Sequence, residues 1–124
     1  MNLSRKNYQL AIAHIIDNLV RKYDDKVEAE YTTIMKVDNA IRYNEKVVFK
    51  YGLSLTENHV SFHSMVMYAN GFIMELSKKY LPNAHFNKGC INFKDWSTFD
   101  PEGFGLIIRH SAEADFTPVL SEIP

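Results

Sequence analysis

The first hydrophobic pattern along the chain has a helical period. Tyr8, Ile12, Ile15, Ile16, Leu19 and Tyr23 recur at steps of three and four, which gathers them on one side of an α-helix. Arg5, Lys6, Asn7, Asp17, Asn18 and Arg21 fall on the other side. Ser4 stands where its hydroxyl would accept a bond from a free first-turn amide. A helix over 4–23 would be about 30 Å long, and its apolar stripe requires a surface to lie on.

The pattern then changes to strands. YTTIMKV (31–37) and KVVFKYGLSL (46–55) are rich in β-branched and aromatic residues, with a turn expected at YNEK (43–46) and another at TEN (56–58). HVSFHSMV (59–66) alternates: Val60, Phe62, Ser64 and Val66 share one face, His59, Ser61, His63 and Met65 the other. Short connections between such strands imply antiparallel pairing. In 69–82, Asn70-Gly71 suits a hairpin, but Met74, Glu75, Leu76, Lys78 and Lys79 favour helix, with Asn70 as cap, Pro82 as stop and Phe72, Leu76 and Tyr80 on one face. KGCINFK (88–94) reads as a further strand. Asp100-Pro101 opens a helix over 100–113 with Phe104, Ile107, Ile108 and Ser111 on its apolar side. Thr117-Pro118 repeats the cap-and-proline start. The order is helix, three strands, helix, strand, helix: an α+β domain with an antiparallel sheet packed against helices.

Composition narrows the function classes. The 124 residues suit one domain spanning 1–124, and the hydrophobic share of 46% with 23% charged is ordinary for a folded protein. A net charge of −1 without a basic stripe argues against nucleic acid. No apolar run approaches the ~20 residues of a membrane span. The basic-then-apolar start is interrupted by Gln9, His14 and Asp17, so it reads as a mature helix rather than a leader. One cysteine, Cys90, fits a reducing, cytoplasmic setting.

Three groups could carry chemistry. His59 and His63 would share a metal on a helix, but on a strand their Cα atoms stand about 13 Å apart at ~3.3 Å per residue, so the alternation makes them two polar groups on the more solvated face. Cys90, with His85 close in sequence, could be a nucleophile, although a free strand cysteine usually behaves as a small hydrophobe. Asp24, Asp25, Glu28 and Glu30 form the most acidic stretch and could hold a hard cation, yet Lys22 and Lys26 stand among them. Asp95, Asp100 and Glu102 are a looser acidic set. Phosphate-binding glycine loops, the serine-hydrolase elbow and paired-cysteine or zinc-protease motifs are absent.

N-H-V-S-F-H-S-M-V-M-Y (58–68), a helix ending L-P-N-A (81–84), and F-N-K-G-C-I-N-F-K (86–94) together resemble the YdhG-like domain of unknown function over roughly residues 28–112. The resemblance implies a compact α+β fold similar in outline to frataxin. Some members of that family have been proposed as intracellular iron chaperones, which would make iron the implied cofactor and Asp24, Asp25, Glu28 and Glu30 its ligands.

The residues favour a non-catalytic module that binds a small molecule or a protein partner, as monomer or homodimer. Its candidate ligand surface is His59, His63, Tyr68, Lys88 and Cys90. An iron-binding chaperone and an enzyme using Cys90 are the alternatives.

Overall fold

The computed structural model describes residues 5–34 and 37–120. The chain runs α1 (Arg5–Tyr23), β1 (Glu28–Ile34), β2 (Val37–Glu45), β3 (Val48–Leu55), β4 (Val60–Ser64), α2 (Met65–Ala69), α3 (Gly71–Tyr80), β5 (His85–Asn87), β6 (Cys90–Phe93), a 3-10 turn (Trp96–Thr98), α4 (Pro101–Glu113) and α5 (Thr117–Leu120). The strands form one six-stranded sheet in the order β1-β2-β3-β4-β6-β5, with every neighbouring pair antiparallel. The α+β class expected from the pattern is the class observed. The Ser4 cap lies outside the described residues, as do Met35 and Lys36 of the expected 31–37 strand. That stretch is divided between the end of β1 and the start of β2.

Helices α1, α3 and α4 cover one face of the sheet. Ile12, Ile16 and Val20 of α1, Ile73 of α3, and Phe104, Ile107 and Ile108 of α4 join Tyr51, Leu53, Val60, Phe62, Ile91 and Phe93 in a single core. Rings run through it in series: Tyr51 stacks on Phe62 at 5.6 Å, Phe62 meets Phe104 edge-on at 4.9 Å, and Phe93 meets Phe99 at 5.0 Å. Such contacts add to the burial of the rings themselves. The strongest local signals hold: Asp100 caps α4 by accepting from the Glu102 amide, and Asn70 caps α3 by accepting from those of Phe72 and Ile73.

Four expectations shift. The turn expected at 43–46 sits at Lys46-Val47, both with positive φ (50° and 62°), where no glycine announced it. The strand 59–66 stops at Ser64, whose hydroxyl accepts from the Met67 amide and starts α2. The face of α3 is rotated by one residue: Ile73 and Ser77 are buried, while Phe72 is 66% exposed. Finally, β5 was not anticipated; it pairs with β6 through His85–Asn92 and Asn87–Cys90.

Candidate functional site on the open face of the sheet

The sheet presents two chemically different faces, and a register shift creates part of the difference. Tyr43 pairs with Tyr51, but the next residue, Asn44, pairs with Phe49. Lys50 is thus the extra residue of a β-bulge, which turns it to the helix side beside Tyr51. There it is wholly buried. Its Nζ lies 2.8 Å from Asp24 Oδ2 and 2.6 Å from Glu45 Oε1. The Tyr51 hydroxyl donates to Asp24 Oδ2 at 2.7 Å and the Lys26 amide to Asp24 Oδ1 at 3.1 Å. The rings of Tyr51 and Phe116 face the ammonium at 5.5 and 5.2 Å. Burial first, then the negative charge of Asp24, pushes the Tyr51 hydroxyl well above its ordinary pKa. A second anchor lies near α1, where Tyr43 donates to Asp17 at 2.5 Å.

The other face carries the candidate site. Across β3, β4 and β6 the register sets Ser54 beside Ser61 and Ser61 beside Asn92, and in the next row Gly52 beside His63 and His63 beside Cys90. Alternation points all of these away from the helices. All of them except Gly52 line an open groove of about 590 Å³. His59, Thr56, Asn87 and Tyr68 stand around it, and Ile34 closes one end. Gly52 permits that end wall: a Cβ there would meet the Phe49 ring at 2.7 Å and Ile34 Cδ1 at 2.9 Å. Tyr68 packs on Gly89, and Lys88 lies over its ring at 4.8 Å, on the rim.

The groove's polar groups are neutral and partly interlocked. Ser61 Oγ donates to Asn92 Oδ1 at 2.7 Å, Cys90 Sγ reaches the same oxygen at 3.4 Å, and Ser54 Oγ lies 3.5 Å from His63 Nε2. Burial lowers the pKa of His63. Burial, followed by the charges of Lys94 and His85, lowers that of His59. Burial also raises the Cys90 thiol, outweighing the opposing influence of the neighbouring Ser61 hydroxyl. All three side chains are held towards their uncharged forms.

The structure therefore brings His59, His63, Tyr68 and Cys90 to one groove, with Lys88 at its edge. Ser54 and Asn92 are not among the pattern-based candidates; the outward register of Ser54 is readable from alternation, but its alignment with Asn92 depends on β4–β6 pairing. His63, rather than His85, neighbours Cys90. Neither histidine has a carboxylate among its hydrogen-bond partners, so the usual orienting group of a catalytic imidazole is missing from the described contacts.

The acidic stretch is dispersed. Asp24 is 1% exposed and committed to Lys50 and Tyr51. Asp25 is exposed at the end of α1, and Glu28 and Glu30 project from β1. Around them stand Lys26, Arg42 and Lys46, with Arg42 Nε 4.0 Å from Glu30. Asp95 and Asp100 are caps, of the 3-10 turn and of α4. Among the described residues no group of three or more His, Cys, Asp and Glu is placed to hold a metal ion, and no helix is long and apolar enough to cross a membrane. Comparison with family models, curated proteins and solved structures found no match.

Proposed function

We propose that this chain is a non-catalytic module that binds a small ligand in the groove across β3, β4 and β6. The observation that carries this reading is the contrast in lining. The groove is concave and built on rigid strands, and none of its lining residues bears a fixed charge. Four other surface cavities among the described residues each contain Lys, Arg, Asp or Glu. A largely apolar wall with a few convergent polar groups is the usual composition of a small-molecule site. The raised thiol of Cys90 and the lack of an orienting acid beside His63 support binding over nucleophilic chemistry. The iron reading suggested by the YdhG-like resemblance would fall to the exposed acids Asp25, Glu28 and Glu30, among which Lys26, Arg42 and Lys46 oppose a cation.

The test is a 1H–15N titration of the intact chain with a set of small neutral fragments. Saturable shifts at Ser54, Ser61, His63, Cys90 and Asn92 are expected. Shifts confined to other surfaces, or none, would remove the reading.

A further inference from the structure

The hydrogen bonds inside the groove specify what remains available to a ligand. Asn92 is 8% exposed and Ser61 4% exposed, and the two are direct cross-strand partners. Asn92 Oδ1 already accepts from Ser61 Oγ and from Cys90 Sγ. That leaves the two hydrogens of its Nδ2 to donate. Ser61 has given its hydrogen to Asn92, so its oxygen retains lone pairs and can only accept from a third group. One donor and one acceptor therefore stand side by side on the groove floor, fixed by two strands. Burying either without a partner is costly, which sets a premium on a ligand that supplies both. Because both side chains are packed and already bonded to each other, little ordering remains to be done on binding.

Charge narrows the choice further. A full charge entering this groove would lose water and find no fixed countercharge in the lining. His63 is faced by Ser54 and Gly52 from β3 and by Cys90 from β6. His59 is faced by Lys94 and His85, and Lys88 is drawn onto Tyr68 at the rim.

We propose that the groove selects an uncharged ligand with a neighbouring N–H and C=O, as in a primary amide or a lactam. The ligand carbonyl accepts from Asn92 Nδ2 and the ligand N–H donates to Ser61 Oγ. The inference rests on the small-ligand reading and specifies its chemistry.

Four probes of one shape test it: benzamide, benzoate, benzamidine and toluene, titrated separately into the intact chain at pH 7.5, with the backbone amides of Ser61 and Asn92 followed by NMR. Benzamide is expected to shift both saturably, and the other three to bind at least about tenfold more weakly, the equivalent of roughly 1.4 kcal/mol. Ser61→Ala and Asn92→Leu should each reduce the preference for benzamide over toluene by several-fold, and Ser61→Ala keeps the test available where Asn92→Leu does not fold. Toluene binding as tightly as benzamide would overturn the amide inference and leave the groove as a ligand site. Benzoate or benzamidine binding as tightly would overturn its neutrality. No shift at the groove from any of the four, toluene included, would remove the small-ligand reading and the inference together.

Discussion

The two faces of this sheet treat polarity in opposite ways. The helix-covered face holds an ammonium and two carboxylates out of water, and each is answered: Lys50 by Asp24, Glu45 and two rings, Asp24 also by Tyr51 and the Lys26 amide. The open groove holds no fixed charge, yet its Ser61–Asn92 pair keeps hydrogen-bonding capacity to spare. Polarity that is fully satisfied internally stabilises or specifies a fold. Polarity left open on a concave, neutral surface is what a ligand can use. Burial of a lysine is the more conspicuous feature of this molecule, but the difference assigns it to architecture and makes the quieter open face the candidate ligand site.

The comparison breaks first at Lys50. Replacing it with Met leaves Asp24 and Glu45 facing each other without their cation, and the expected loss is about 3–5 kcal/mol in urea unfolding. The triple change Lys50→Met, Asp24→Asn, Glu45→Gln should recover much of it, because no lone charge then stays buried. Fragment binding by the folded protein should be unchanged in either variant; a coupled loss would join the two faces into one site. Gly103→Ala comes next. Its Cβ would approach the Tyr80 carbonyl oxygen to 2.6 Å where α4 crosses the end of α3, so a loss of about 1–3 kcal/mol is expected from overpacking on the covered side. Lys46→Asn with Val47→Gly should act in the opposite direction. Both positions have positive φ, and Val47 is a β-branched residue there. A gain of about 1 kcal/mol in stability is expected, with the bulge and the groove spectrum unaltered.

Acid should distinguish the faces with a smaller effect. Burial holds His63 below its ordinary value of 6.5, so as pH falls the unfolded chain takes up the proton first. The stability owed to the neutral imidazole is complete above about 6.5 and fades as pH drops through the folded value. His63→Gln should flatten this decline between pH 7 and 5 in thermal melts; an unchanged slope would place the titration elsewhere. Smallest of all, Cys90 should react with iodoacetamide more slowly than a free thiol at pH 8, since burial raises its pKa.

Much of the scaffold was legible because local signals and the final environment agree. Asp100-Pro101 and Asn70 start helices by satisfying amides within the same few residues. In 60–64 a strict period of two meets a sheet with one covered face, which is why His63 and Ser61 were placed correctly on the other. What the sequence concealed depends on long-range partners. Lys50 in a run of alternating residues reads as solvent-facing until the bulge turns it inward, and the bulge exists only in the pairing of β2 with β3. Asp24 looked like part of an acidic surface because its cation lies 26 positions away (50 − 24). Ser64 had to be recognised as a cap while still inside an alternating run. The groove itself was half visible: His59, His63, Tyr68 and Cys90 could be named, but not the row Ser54, Ser61 and Asn92 that spans three strands.

The measurement closest to the central claim compares the intact chain with His63→Trp, an indole placed to fill the groove from its floor, using the same neutral fragments and the same amide spectrum. The account predicts saturable shifts around Ser61, Cys90 and Asn92 in the parent, and their loss in His63→Trp while the covered-face resonances of Tyr51, Phe62 and Phe104 stay in place. Fragments that bind equally well to both proteins, or that map to Asp25, Glu28 and Glu30 instead, would contradict it.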